Sequence, residues 1–519
     1  MSASHGCFPT LPRTISGMRR PCRWCGRKWR WAAGLLAFLL LAHAAATIVT
    51  GRMVARRLQD IKRRGEPVSL KDLAGPPIPD AQNAAPLYLE ALRRLPSPEE
   101  LFQQRPNVRP PGTLLSQEEL KQIGWYLCKQ LGLRCRGQQL DVPIESVERT
   151  LSRVAPVLRL VELASARPGC QFQIQRESGR ESRSLRFDPF PDLFRAHSLP
   201  VLLTTKALLD LHRGNRQQAL NAITVLLRVG DHFGSAALGW DALIRNSFHV
   251  HALDVLRKAL EIAPLARHEC EQMQQRLNSI DQIGPFERAM QGERLRLIWY
   301  FDQLRREAPW FTVRLIAGRS PDALAWNDYE TPPGLRHMIA RLVMWAWAPF
   351  VNMDETFSLR LWQRQFLLAR QPYRRAAAAF ERLALGRERG RWAWYAVFTK
   401  MHQPLYGGMM LPRDFVMARI GLAQWALALQ VYQIEHGSYP DSLYQARKRL
   451  RWRLPQDPFS GTDFIYRHEG RGYIIYSIGE NLRDDKGLYR AGGCPPMPVW
   501  VNQKARPHCP DDIVWRMPG

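Results

Sequence analysis

Residues 31–50 read WAAGLLAFLLLAHAAATIVT, a stretch without a charged side chain. His43 is its only strongly polar member. At about 1.5 Å of rise per residue, a helix of this length spans roughly 30 Å, which matches the hydrocarbon core of a bilayer. Trp31 lies at one end, where interfacial aromatic side chains are common. The stretch therefore predicts a transmembrane anchor near the N-terminus.

The same stretch also fits a cleavable signal peptide. Basic residues precede an apolar run over 35–41, and the small residues of 42–45 could form a cleavage site. The apolar character continues through Ile48 and Val49, beyond that site. This continuation favours an uncleaved anchor, and the signal peptide stays open as the alternative.

Basic residues flank the apolar stretch on both sides. Residues 1–30 contain seven of them and no acid, and residues 52–64 contain six. The positive-inside rule compares the two flanks, which are nearly balanced here. We expect a cytoplasmic N-terminus, because the layout resembles a signal sequence and is followed by a long chain. The predicted location is the bacterial inner membrane, crossed once, with the C-terminal body extracytoplasmic.

The rest of the sequence predicts a mainly α fold with a large helical domain and a small C-terminal α+β module. Helical periodicity dominates, and proline-rich or glycine-containing stretches interrupt it. The predicted segments are a basic N-terminal tail over 1–30, the anchor over 31–50, a basic helix extension and Pro-rich connector over 51–113, the helical domain over 114–400, the module over 411–490 and a C-terminal tail over 491–519.

Local signals place several helix ends. Ser116 with an acid three residues later has the spacing of a capping box. Asp80 and Asp414 are the expected caps of the helices that follow them. The break RGN at 213–215 predicts a helical hairpin, and Gly437 predicts the end of the long helix after Asp414.

Two shorter stretches carry weaker predictions. Residues 170–175, CQFQIQ, are expected to form a short strand. Residues 339–350, IARLVMWAWAPF, are too few to span a bilayer, so they form either a buried helix or a membrane-contacting patch. Burial is the favoured interpretation.

The C-terminal module contains a predicted β-hairpin. Residues 463–468, DFIYRH, and residues 473–479, YIIYSIG, are strand-like. The intervening EGRG at 469–472 suits a tight turn. The module should therefore consist of one long helix followed by a small antiparallel sheet.

The module contains, in order, ALQVY at 428–432, HGSYP at 436–440, DPF at 457–459, Tyr466 and YSIG at 476–479. This order of motifs resembles the C-terminal half of the major pseudopilins of type II secretion systems. Unlike a pseudopilin, the chain lacks a prepilin cleavage signal, and its anchor lies hundreds of residues from the module. The whole chain is also similar to a group of single-anchor bacterial membrane proteins, abundant in planctomycetes, that share RGEP at 64–67 and NAA at 83–85. This second resemblance implies no activity.

The pseudopilin resemblance implies a calcium site in the loop after the sheet. The positions that match are Ser477, Asn481, Asp484 and Asp485. Calcium takes six to eight oxygen ligands, and short acidic loops often supply them. The alternative is a solvated turn whose acids only aid solubility. Calcium is the one cofactor that the sequence suggests.

The cysteines leave two possibilities open. Six of the nine follow the anchor, and Cys128 with Cys135 and Cys494 with Cys509 are the local candidates for disulfides. An oxidising compartment would allow such pairs. The alternative is a set of unpaired, partly buried thiols.

Motifs for catalysis are weak. The sequence contains no zincin helix, nucleophile elbow, P-loop or dinucleotide fingerprint. His249 and His251 lie two apart, a spacing that does not put them on one helix face. Asp188, Asp192 and His197 could line a cleft, although a surface location is the simpler interpretation.

The function classes follow from charge and anchor. The formal net charge is +27, which suits anionic partners, while no cluster of Lys or Arg interleaved with aromatics indicates a nucleic-acid surface. We expect a non-enzymatic, membrane-anchored envelope protein that binds another protein or a polymer as a scaffold. The alternatives are an extracytoplasmic hydrolase with a cleft in the helical domain, and a basic domain that binds anionic polymer or lipid.

Overall fold

The computed structural model describes residues 23–69, 72–73, 76–96, 109, 112–132, 141–172, 191–234, 239–306, 335–388, 393–402, 407–488 and 512–518. These residues are mainly helical, and a small antiparallel sheet follows the helices. The predicted fold class is confirmed at this level.

The helices and strands are numbered here in chain order. The helices are α1 (Arg23–Arg63), α2 (Ala85–Arg93), α3 (Gln117–Leu131), α4 (Ile144–Ser165), α5 (Leu199–His212), α6 (Arg216–Phe233), α7 (Gly239–Ile262), α8 (Arg267–Asn278), α9 (Ile283–Arg306), α10 (Leu335–Ala369), α11 (Tyr373–Glu388), α12 (Val397–His402), α13 (Gly407–His436) and α14 (Leu443–Leu450). A 3-10 helix, Pro191–Ser198, precedes α5. The strands are β1 (Ile465–Glu469), β2 (Gly472–Ser477) and β3 (Ile513–Met517).

Helix α1 unites the predicted anchor and its basic extension in one continuous helix of 41 residues. The side chains of its apolar stretch are not covered by other parts of the described chain: Phe38 is 66% exposed and Leu41 is 71% exposed. Beyond Gly51 the helix joins the body, where Ile61 is buried. Gly65, with a φ of +74°, follows the last turn of the helix in the left-handed conformation that favours glycine.

The main hydrophobic core is continuous from α2 through α8, α13 and the sheet. Helix α7 packs against both α6 and α13, and Trp425 of α13 is fully buried. The helical body and the C-terminal module therefore share one core. Two smaller clusters lie elsewhere, and one of them joins Ile61 of α1 to Leu297 of α9 and Leu359 of α10.

Several predicted chain signals are confirmed. Ser116 and Glu119 form a complete capping box at the start of α3. Helices α5 and α6 are separated at 213–215, where Gly214 has a φ of +78°. Helix α13 ends at His436, and β1 and β2 form the predicted hairpin with Glu469 opposite Gly472.

The predicted caps at Asp80 and Asp414 are wrong. Helix α2 begins at Ala85, next to a proline in its first turn, a position where the missing N–H costs nothing. Helix α13 begins at Gly407 and continues through Pro412. Asp414 is buried in an ion pair with Arg413, 2.7 Å from Nη2 to Oδ1, so its carboxylate is engaged inside the helix.

The predicted strand over 170–175 is not present where the structure describes it. Residues 170–172 are irregular, Gly169 makes an isolated bridge to Asn83, and residues 173–175 lie outside the described part. Conversely, β3 comes from the segment predicted as a tail. It pairs antiparallel with β2, which makes β2 the central strand and buries every residue of it.

The expected burial of residues 339–350 is wrong for part of the segment: among the described side chains of 342–350, Pro349 is buried and four are half-buried, but four are exposed. In α10, Leu342 is 58% exposed, Val343 39% and Trp345 50%. These side chains are exposed because this part of α10 packs against α1 on one side only. The apolar surface of α1 is itself exposed along the same stretch.

Candidate functional site

The four predicted calcium ligands lie at the end of β2 (Ser477) and in the loop after it (Asn481, Asp484 and Asp485), and they bond to nearby side chains. Ser477 Oγ donates to Asp457 Oδ1 at 2.7 Å, and Asn481 Nδ2 donates to Asp485 Oδ2 at 2.9 Å. Asp484 Oδ1 accepts from the Tyr476 hydroxyl at 2.9 Å. These side chains therefore stiffen the loop through hydrogen bonds.

A carboxylate that sequence reasoning missed, Asp512, faces the same loop. It accepts hydrogen bonds from the backbone N–H of Gly487 at 2.8 Å and of Asp485 at 3.4 Å. Burial, together with the charges of Asp485 and Asp484, raises the pKa of Asp512 to about 6. Within the described ranges, no three His, Cys, Asp or Glu side chains converge in an arrangement that could hold a metal ion. The calcium site stays a prediction.

The other candidate residues do not form one site in the described structure. Asp188 lies outside the described residues, and Asp192 falls in the 3-10 helix with an undescribed side chain. His197 is exposed. The charged neighbours of His249 are Asp231 and Arg245, whereas those of His251 are Asp254 and Arg419.

A buried polar network surrounds Asp231 at the junction of α6 to α9. Its carboxylate lies 2.8 Å from Arg276 Nη2, 3.4 Å from Arg245 Nη2 and 3.3 Å from His249 Nε2. Burial would raise the pKa of Asp231, but its bond to His249 and the two guanidinium groups outweigh it and hold that pKa below its ordinary value. Burial lowers the pKa of His249, which keeps the ring neutral near pH 7.

This network borders a small cavity. Arg245, Gln282, Phe286 and Arg413 line a space of about 20 Å³, which accommodates one water molecule. The network acts as a polar joint between helices, and Gly230 makes it possible, because a Cβ there would lie 2.7 Å from the His249 ring.

An exposed basic strip lies at the end of α14. It consists of Lys448, Arg449, Arg451 and Arg453, all of which are exposed. The opposite side of α14 buries Leu443 and Ala446, which fixes the strip to the core. Within the described part of the chain, no acidic side chain lies within salt-bridge distance of any of the four.

Neighbouring contacts hold the strip in place. Arg447 pairs with Asp463, 2.8 Å from Nη2 to Oδ1, and its guanidinium lies 5.2 Å from the Trp425 ring centroid. Arg451 has a φ of +55° and ends the helix in the left-handed region. The sequence analysis missed this strip: its signal is the run RKRLRWR at 447–453, in which cations flank Trp452, although composition alone does not show which of those cations are unpaired.

Among the residues that the structure describes, two helices are long and apolar enough to cross a membrane. The segment Trp29–Arg63 has a mean hydropathy of 2.2 in its most apolar window, none of which is buried. The segment Met410–His436 reaches 1.2 and is 78% buried, as expected for a core helix. The first segment is therefore the better candidate for a membrane span. Comparison of the chain with known protein families, curated proteins and solved structures gave no match.

Proposed function

We propose that this chain is a single-pass envelope protein of a bacterial inner membrane whose extracytoplasmic body acts as a scaffold that binds an anionic polymer. The observation that carries the proposal is the bare apolar stretch of α1. Leu35, Phe38 and Leu41 are all more than half exposed. Removing one such side chain from water is worth about 1.5–3 kcal/mol, so lipid is a far better environment for this stretch than water.

The state of the cysteines supports an extracytoplasmic body. Cys128, on α3, is disulfide-bonded, while Cys170 and Cys270 are buried. The predicted partner of Cys128, Cys135, lies outside the described residues. Stable disulfides are rare in a reducing cytosol, so a bonded Cys128 favours the oxidising side of the membrane.

The basic strip supports an anionic partner. Four cations lie within six residues on a rigid, exposed edge, in a chain whose net charge is +27. Such a local field attracts polyanions, and salt screens it over a Debye length of about 8–10 Å. Binding through the strip should therefore weaken steeply as ionic strength rises.

We also propose that residues 411–490 form a pseudopilin-like module and that the chain belongs to the single-anchor group that it resembles. Contacts between the shared motifs support the first part. Asp457 accepts from Ser477 Oγ, and the Tyr466 hydroxyl donates to the carbonyl oxygen of Pro440 at 2.7 Å. The motif RGEP at 64–67 supports the second part. Its Glu66 accepts hydrogen bonds from Arg64 and from Arg294 of α9, and these bonds hold the segment after the anchor helix against the body.

The test of polymer binding uses the full chain in nanodiscs of zwitterionic lipid and fluorescein-labelled heparin as the probe. One variant carries Lys448→Glu, Arg449→Glu, Arg451→Glu and Arg453→Glu. The control reverses four exposed cations on α2 to α4, with Arg93→Glu, Lys121→Glu, Arg149→Glu and Arg159→Glu, and so changes the net charge equally.

Loss of the strip should weaken heparin binding by at least about tenfold, equivalent to about 1.4 kcal/mol, while the control changes it much less. Equal losses in both variants would mean that binding follows net charge and that the strip is not a site. Absence of heparin binding by the unchanged chain at low salt would also overturn the proposed polymer-binding role.

A further inference from the structure

The first half of α10 runs parallel to α1 along its apolar stretch. His43 Nε2 donates to the carbonyl oxygen of Trp345 at 2.9 Å, and the two rings lie 4.1 Å apart. Farther along, Asn352 Nδ2 donates to Thr50 Oγ1 at 3.2 Å. Beyond the anchor, Arg64 Nη2 donates to Gln363 Oε1 at 3.0 Å. Residue numbers increase in the same direction along both helices in these contacts, so α1 and α10 are parallel.

This pairing fixes the depth of α10 relative to the anchor. His43 lies inside the uncharged stretch 31–50, so Trp345 lies at the same level. Leu342 and Val343 precede Trp345 by less than one helical turn and lie deeper still. From Leu342 to Phe350 the helix rises about 12 Å, close to the thickness of one leaflet of hydrocarbon, about 15 Å.

The contact between the two helices satisfies their polar groups. Thr47 Oγ1 and Thr50 Oγ1 donate to carbonyl oxygens one turn earlier, and Asn352 and His43 bond across the contact. Interhelical bonds of this kind, from Asn, His and Thr, are typical of helices packed inside membranes. Leu342, Val343 and Trp345 of α10 stay exposed beside this contact.

Aromatic side chains collect at the level where the apolar stretch ends. The rings of Trp347 and Phe350 lie 4.8 Å apart, and those of Phe350 and Trp394 lie 5.0 Å apart. Trp394 is 65% exposed, and its ring is 5.8 Å from that of Tyr395. Asn352, two residues after Phe350, bonds Thr50, so this aromatic group lies beside the last residues of the apolar stretch. Trp and Tyr are enriched at this depth of a bilayer.

We propose that residues 342–350, together with Trp394 and Tyr395, form a membrane seat: a half-inserted helical segment that lies against α1 in the leaflet next to the body. The occupant of the exposed face is phospholipid, because this face continues the bare apolar surface of α1. The inference rests on the proposed anchor.

The seat changes how the body is held. A single helix would leave the body free to tilt, whereas two packed helices and an aromatic rim fix its height and orientation at the surface. The cluster of Ile61, Leu297 and Leu359 transmits this orientation to α9 and α10. The body therefore presents one face to lipid and the remainder to the envelope space.

Photocrosslinking of the full-length chain in nanodiscs tests the seat. The photoreactive residue p-benzoylphenylalanine replaces Leu342 or Trp345 in the seat, Leu39 in the anchor, and Leu163 on α4, all of which are at least half exposed. Each site is on the surface, so the replacements leave the core intact. After irradiation, mass spectrometry measures phospholipid adducts.

We expect lipid adducts at Leu39, Leu342 and Trp345 and none at Leu163. Adducts at Leu39 without adducts at Leu342 and Trp345 would overturn the seat and leave the anchor in place. Absence of adducts at Leu39 would overturn the anchor, and the seat with it. Adducts at Leu163 as strong as those at Leu342 would overturn the seat, because lipid contact would then not be selective.

Discussion

The ion pair between Glu66 and Arg294 connects the end of the anchor helix to the body, and Glu66→Gln breaks it. Arg294 is fully buried; it bonds Glu66 through Nη1 and the Pro67 carbonyl oxygen through Nη2 at 2.9 Å. Its guanidinium also lies 4.4 Å from the Trp362 ring centroid. With Glu66 neutralised, a buried cation loses its only carboxylate within the described residues.

Removal of one partner from a buried pair costs about 3–5 kcal/mol of unfolding free energy. Glu66 is 14% exposed, which places the expected loss near the lower end, about 3 kcal/mol. Since 1 kcal/mol shifts the Tm of a domain by about 2–4 °C, Glu66→Gln should lower Tm by roughly 6–12 °C. The control is Glu90→Gln. Glu90 pairs with Arg94 at the surface, where the Glu90 side chain is 51% exposed and the Arg94 side chain 43% exposed. Its cost should stay below about 1 kcal/mol.

The assay is thermal unfolding of the full chain in nanodiscs, followed by circular dichroism at several pH values. Burial would raise the pKa of Glu66, but hydrogen bonds from Arg64 and Arg294 outweigh it and lower that pKa. The pair therefore contributes fully above the unfolded pKa, about 4.3, and its contribution falls as pH drops through the lower folded value. Equal Tm shifts for Glu66→Gln and Glu90→Gln at pH 7 would refute the reasoning.

Four further predictions follow from the body and the module. Gly230→Ala should destabilise the chain by about 1–3 kcal/mol in urea unfolding, because its Cβ would lie 2.7 Å from the His249 ring. Cys128→Ser should cost about 2–4 kcal/mol, and a reductant should then have less effect on the variant than on the unchanged chain. The folded pKa of Glu119 is about 2, because hydrogen bonds from Arg109, Ser116 N–H and Arg153 outweigh the opposing effect of burial. The stability difference between the unchanged chain and Glu119→Gln should therefore shrink as pH falls from about 4.3 towards 2. If the predicted calcium site exists, millimolar calcium should raise Tm for the unchanged chain but not for Asp484→Asn.

The sequence was most informative where a local rule determines the backbone. The uncharged stretch 31–50, the capping box at Ser116 and the stop at Gly437 each depend on a few adjacent residues, and the structure confirms the helices that they define. The hairpin of β1 and β2 is equally local, because its turn joins strands that pair directly.

Features that depend on distant contacts were missed or misassigned. Strand β3 pairs with β2, some forty residues earlier, and packs against α13, so its structure depends on distant contacts. Residues 339–350 were predicted to be buried because apolar runs usually are, but the described part of this segment packs against α1, whose apolar stretch is itself exposed. Asp414 looked like a cap, although its carboxylate pairs with a buried guanidinium.

The candidate surfaces show the same limit. Composition gave the excess of cations, but which of them lack acidic neighbours depends on the fold, as the difference between Arg447 and Arg449 shows. The Asp231 network joins residues from separate helices, none of which forms a sequence motif.

The account depends most on where α1 and the body lie relative to the membrane. Protease treatment of intact and outer-membrane-permeabilised cells, with mass measurement of the mature chain, tests this directly. The account predicts a chain that keeps residues 31–50, stays with the membrane and loses its body to protease only after permeabilisation. A body that remains protected until the inner membrane is lysed, or a mature chain that begins after residue 45, would contradict it.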